Sequence, residues 1–117
     1  MARILSAKTK IKRYEKAILE ILADWKDYLK NYANDYQVII DKTHRHYLFV
    51  ENTWSKEKYR HNVMFHFSLR EDGKVLLRLN ETKDDLAVEL MKKGVAAQDI
   101  VLMMQPEKVR ELTGYGS

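Results

Sequence analysis

The stretch YRHNVMFHFSLREDGKVLLRL, residues 59–79, alternates apolar and polar side chains almost residue by residue. Tyr59, His61, Val63, Phe65, Phe67 and Leu69 share one parity; Arg60, Asn62, Met64, His66, Ser68 and Arg70 share the other. A period of two places each set on one face of a strand, half-buried in an antiparallel sheet. Val75, Leu77 and Leu79 repeat the pattern after Glu71-Asp72-Gly73. A two-residue loop at Asp72-Gly73 would set Phe67 against Arg78. A three-residue loop with a left-handed Gly73 pairs Leu69 with Val75 and Phe67 with Leu77. Only the second keeps the apolar sets on one face, so it fixes the register.

Upstream, Tyr36 to Asp41 and His46 to Val50, the latter running on towards Trp54, are rich in β-formers. Before them lies a helical pattern: Ile4, Ala7, Ile11, Tyr14, Ile18, Ile21, Trp25, Tyr28 and Tyr32 recur at three- and four-residue spacing, widened by Leu22 and Leu29. This heptad stripe predicts one long helix lying on a sheet, with first turns free to overhang onto another chain. Downstream, Thr82 is a candidate cap, Leu86, Leu90 and Met91 an apolar helix face, and Gly94 a helix end. Ile100 to Met104 reads as a short buried strand. Pro106 suits the start of a last helix with Val109 and Leu112 on its face. The order α-β-β-β-β-α-β-α predicts an α+β fold: a long N-terminal helix on a mainly antiparallel sheet, with short C-terminal helices. The core candidates are Tyr14, Trp25, Tyr47, Trp54, Phe65, Phe67 and Leu90.

A chain of 117 residues, 45% of them hydrophobic and 32% charged, fits one domain spanning residues 1–117. Residues 1–10 form a basic N-terminal extension, helical or frayed. There is no cysteine, which excludes disulfides and thiol chemistry and fits a reducing, cytoplasmic setting. Neither a membrane-spanning run nor the apolar core of a signal peptide is expected. The net charge of +4 is concentrated early, because residues 1–32 hold eight basic and four acidic side chains and the remainder thirteen of each. Lys8, Lys10, Lys12 and Arg13 are therefore candidate contacts to phosphates or an acidic partner. Arg60, Arg70 and Arg78, expected on the polar sheet face, extend that set. Tyr47 and Trp54 could stack on bases, but core packing is the reading adopted for both.

No pattern for nucleophilic catalysis or phosphate cradling is found, and no catalytic residue is assigned. His44, His46 and His66 are the sharpest chemical candidates. With Ser55-Lys56-Glu57 as a three-residue loop, Trp54 pairs with Lys58 and His46 falls opposite His66, so that three imidazoles on one face could hold zinc. The simpler reading, ordinary polar-face or packed histidines with no metal or cofactor, is preferred.

Taken together, the motifs from Asp41 onward resemble the XisI family, the cyanobacterial fdxN element excision controlling factors. The resemblance rests on Asp41, His46-Tyr47-Leu48 and Trp54; on His66 and Asp72-Gly73-Lys74; and on Thr82, Ala87 and Glu89-Leu90. It continues through Gly94-Val95, Asp99-Ile100-Val101-Leu102, Pro106, Arg110, Thr113 and Tyr115. It covers nearly the whole chain through the order and spacing of motifs that are individually unspecific. The sequence departs from the family pattern at Thr53, at Asn80-Glu81 and at Met103-Met104-Gln105, so a site carried there by relatives is altered here. The resemblance implies a non-enzymatic accessory protein that acts with a XisH-type partner in site-specific DNA excision, as a homo-oligomer and with any DNA contact indirect. Because many such pairs lie away from excised elements, an antitoxin-like or regulatory role towards a nuclease-like partner is the alternative, and weak direct DNA binding through the basic helix is another.

Overall fold

The computed structural model describes residues 5–32 and 34–117. Helix α1, Ala7–Leu29, is capped by Ser6, whose hydroxyl accepts from the Thr9 amide at 3.1 Å. Ile4, the first residue of the heptad stripe, lies outside the described residues. The buried face of α1 is Tyr14, Ala17, Ile18, Ile21, Leu22 and Leu29, with Trp25 partly buried against it. Tyr28 and Tyr32, expected on that stripe, are exposed. A straight helix drifts about 20° per heptad from a seven-residue repeat, which carries Tyr28 off the buried face, and α1 ends before Tyr32.

Five strands follow in sheet order β1-β2-β3-β4-β5. The first four, β1 (Asp35–Asp41), β2 (His46–Ser55), β3 (Lys58–Leu69) and β4 (Val75–Asn80), form an antiparallel meander. Helix α2 (Leu86–Lys92) and a 3-10 turn (Ala97–Asp99) then lead to β5 (Ile100–Leu102), which pairs with β4 in parallel. Helix α3, Glu107–Arg110, follows Pro106. The observed order is the expected one, and the architecture is α+β.

The β3–β4 turn is as derived: Leu69 pairs with Val75 and Phe67 with Leu77. Gly73 has φ +90, and a Cβ on it would lie 2.8 Å from Lys10 Cβ, so the turn also seats the start of α1.

Elsewhere the alternation is broken by bulges. Between the pairs Phe49–Phe65 and Val50–Val63, Met64 is an extra residue in β3. It swaps the faces on either side. Phe65 and Phe67 therefore join the core, while Tyr59, His61 and Val63 fall on the far face. Arg78 is likewise extra in β4, and Leu79 leaves the apolar set to sit beside His66. The β2–β3 loop is the two-residue Lys56-Glu57 rather than three, with Lys56 at φ +58 and Ser55 opposite Lys58. Two-residue hairpins require such positive φ values to match strand twist.

Both longer helices bury their apolar residues in one core cluster on a single sheet face. Phe49 and Phe65 stack at its centre with ring centroids 5.2 Å apart, and Trp25 meets Phe65 edge-on at 5.4 Å. Three further corrections concern the periphery. Asp85, not Thr82, caps α2, accepting from the Ala87 and Val88 amides; Thr82 instead bonds Asn80 in the preceding loop. Val109 and Leu112 are exposed because α3 is a single turn with no buried residue. Trp54, a core candidate from the sequence, is 68% exposed, because β2 runs past the end of β1 at Asn52.

Candidate interaction surface

The two faces of the sheet differ in chemistry. On the helix face, polar groups tie elements together. Tyr14 donates to Asp99 Oδ2 at 2.6 Å, and Lys10 Nζ lies 3.3 Å from Asp99 Oδ1. Burial and this carboxylate push the Tyr14 hydroxyl up to about 12. Tyr47, also fully buried, donates to Glu15, and burial again raises its pKa. Trp25 Nε1 donates to Glu89 Oε1 at 3.2 Å, while Glu89 Oε2 is buried without a partner and burial raises the carboxyl. Trp25 and Glu89 border a cleft of about 230 Å³ between α1 and α2, whose other lining residues are Asp24, Tyr28 and Asp84.

On the far face, His46 and His66 do come together, with Nδ1 and Nε2 3.0 Å apart. They meet diagonally, since His46 is paired with Ser68 and His66 with Leu48. Burial lowers the His66 pKa, and the charges of His46 and Arg78 lower it further. His44 does not join them. It lies in the β1–β2 turn with its amide and ring bonded to Asp41, and this holds the Asp41 carboxyl down. Among the described residues no group of three His, Cys, Asp or Glu side chains is placed to hold a metal ion. The three-imidazole site is therefore not assembled.

The three arginines do not share a surface either. Arg78 donates to Ser68 Oγ at 2.7 Å on the far face. Arg70 forms a two-pronged pair with Asp72, which holds that carboxyl near its lower limit at about 2. Arg60, beyond the Met64 bulge, has the parity of the helix face. Of the basic residues of α1, Lys8, Lys12 and Arg13 are exposed, whereas Lys10 is held by Asp99.

Most motif residues prove to be scaffold. Asp99 anchors α1, Glu89 holds Trp25, and Leu90 is core. Gly94 closes α2 as the Val95 amide returns to the Leu90 carbonyl at 3.0 Å. Pro106 stands at the N-cap of α3, one position before the expected helix start, and Arg110 Nη1 reaches Met103 Sδ.

The match to known proteins follows the same span. The model of the family described as XisI protein matches residues 8–117. The chain belongs to the XisI family. A crystal structure of a XisI-like protein from Anabaena variabilis is 31% identical, with a TM-score of 0.66, covering 85% of this chain and 97% of that one. That of the fdxN element excision controlling factor XisI from the same organism is 24% identical, with a TM-score of 0.76, covering 92% and 97%. No curated protein matches the chain.

Positions where this XisI-family chain departs from the family pattern have local structural roles. Asn80 Oδ1 accepts from the Thr82 amide and hydroxyl, and Thr53 donates to Asn34. Gln105 lies exposed in the turn before α3. What the sequence reading missed was mostly long-range. Tyr14 and Asp99 are separated by 85 residues, and the only forward signal was that a buried tyrosine needs a partner for its hydroxyl. Gly116 was another. A Cβ there would lie 2.1 Å from the Gln98 carbonyl oxygen, because the tail bridges Val101 beside β5.

Proposed function

We propose that this chain is a non-enzymatic controlling factor that acts through a XisH-type partner protein in the excision of a DNA element. The observation that carries this reading is membership of the XisI family over residues 8–117. The Anabaena variabilis neighbour named as an fdxN element excision controlling factor supports it, at a likeness that itself speaks for the fold. The sheet face away from α1 and α2, with its exposed Ile39, Trp54 and Tyr59, supplies surface for a partner or a second copy of the chain. Among the described residues no helix is long and apolar enough to cross a membrane.

Co-expression with the XisH-type protein encoded nearest this chain, followed by size exclusion with light scattering, tests the reading. One peak of defined mass containing both proteins is expected. Two independent peaks at micromolar concentration would remove it.

A further inference from the structure

The β2–β3 hairpin is longer than the sheet that supports it. β1 accompanies β2 only to Asn52, and β4 accompanies β3 only to Phe65. Beyond these points a two-stranded ribbon projects from a molecule 57 Å long and 25–29 Å across. From residue 54 to residue 62 every side chain is exposed. Trp54 and Tyr59 face each other across the ribbon, 68% and 50% exposed, with ring centroids 5.1 Å apart. Neither ring belongs to the core cluster. Lys56 sits in the turn, while Lys58, paired with Ser55, and Arg60, paired with Thr53, alternate to the opposite face of the ribbon from the rings; Glu57 is the one carboxylate of the tip.

We propose that this ribbon tip binds single-stranded DNA, unpaired bases stacking on Trp54 and Tyr59 while Lys56, Lys58 and Arg60 meet the phosphates. An exposed ring pair on one face of a projecting basic ribbon suits a strand whose bases are free to stack. A duplex hides those base faces, and three cations are few for a duplex-tracking surface. The ribbon is only two strands wide, with strands about 4.8 Å apart, so a single strand that wraps its tip meets the rings on one face and Lys58 and Arg60 on the other. The proposal goes beyond the partner reading, and either can fail without the other.

The test is titration with a labelled oligothymidylate and a matched duplex, followed by fluorescence anisotropy at low salt. The single strand is expected to bind tighter. Trp54→Ala should weaken that binding about tenfold, the loss of one stacked base. The binding constant should fall with salt at a log–log slope near −2, about 0.7 for each of three phosphate contacts. K56E/K58E/R60E should abolish the slope, whereas K8E/K12E/R13E, at the far end of α1, should leave binding unchanged. In a Trp25→Phe chain, Trp54 is the sole tryptophan, and the oligonucleotide should quench its emission. The anisotropy series stands on its own if that variant folds poorly. Equal or tighter duplex binding, loss of binding only in the helix variants, or wild-type binding by W54A/Y59A would each overturn the proposal. So would retained DNA binding with loss of the XisH-type complex in W54A/Y59A, which would make the tip a protein-docking element.

Discussion

Tyr14 shows how one residue links sequence distance to packing. Its ring fills the core and its hydroxyl reaches Asp99. Tyr14→Phe keeps the ring but removes a buried carboxylate's donor, and should destabilise the fold by about 1–3 kcal/mol, read as a lower urea midpoint at unchanged slope. Trp54 makes the opposite case. It is as large, yet exposed, so Trp54→Ala should change stability by no more than about 0.5 kcal/mol, whereas Phe65→Ala should cost about 3–5 kcal/mol. Phe65 sits in the alternating stretch and Trp54 at the end of a β-rich run; the Met64 bulge and the end of β1 opposite Asn52 separate their fates. Composition and parity could not supply that.

At the scale of elements, the helices and strands were legible because each carries its own periodicity. Gly73 set the β3–β4 register because one loop length alone kept Phe67 and Leu69 on the apolar face. The bulges at Met64 and Arg78 were not legible. A bulge inserts a residue without changing the apolar–polar alternation, so the chain still reads as one face where there are two. The α2 start was misplaced by three residues because Thr82 and Asp85 are both good caps, and the loop network around Asn80 claims the threonine. Asp85→Ala should therefore destabilise the protein by about 1 kcal/mol, measurable by thermal melting with circular dichroism. Gly73→Ala should cost about 1–3 kcal/mol, since the turn needs a positive φ and the new methyl meets Lys10 Cβ at 2.8 Å.

Across the whole molecule, the pH dependence of stability follows from His66. Its pKa is lowered in the folded state by burial, and further by His46 and Arg78. Below the unfolded value near 6.5 the unfolded chain then takes up a proton more readily than the native one. The stability His66 contributes is thus fully present above that value and is lost as pH falls from about 6.5 towards the lower folded value. Urea midpoints should decline as the pH is lowered from about one unit above that value to about one unit or more below it, and His66→Gln should flatten the decline. Family membership was legible in this chain because motif order survives local change. The surface that serves function was not, since exposure depends on which elements end early.

The sheet order repeats the chain order, so β1 to β4 can form by successive neighbouring hairpins with little loop to close. β5 is different. It joins β4 only after α2 has crossed, and the Asp99 beside it meets Tyr14 across 85 residues. Contacts of that separation come late, because loop closure must precede them. The meander should therefore assemble first, and the clasp between the chain's two ends last. In stopped-flow experiments Tyr14→Phe should speed unfolding and leave the refolding rate nearly unchanged.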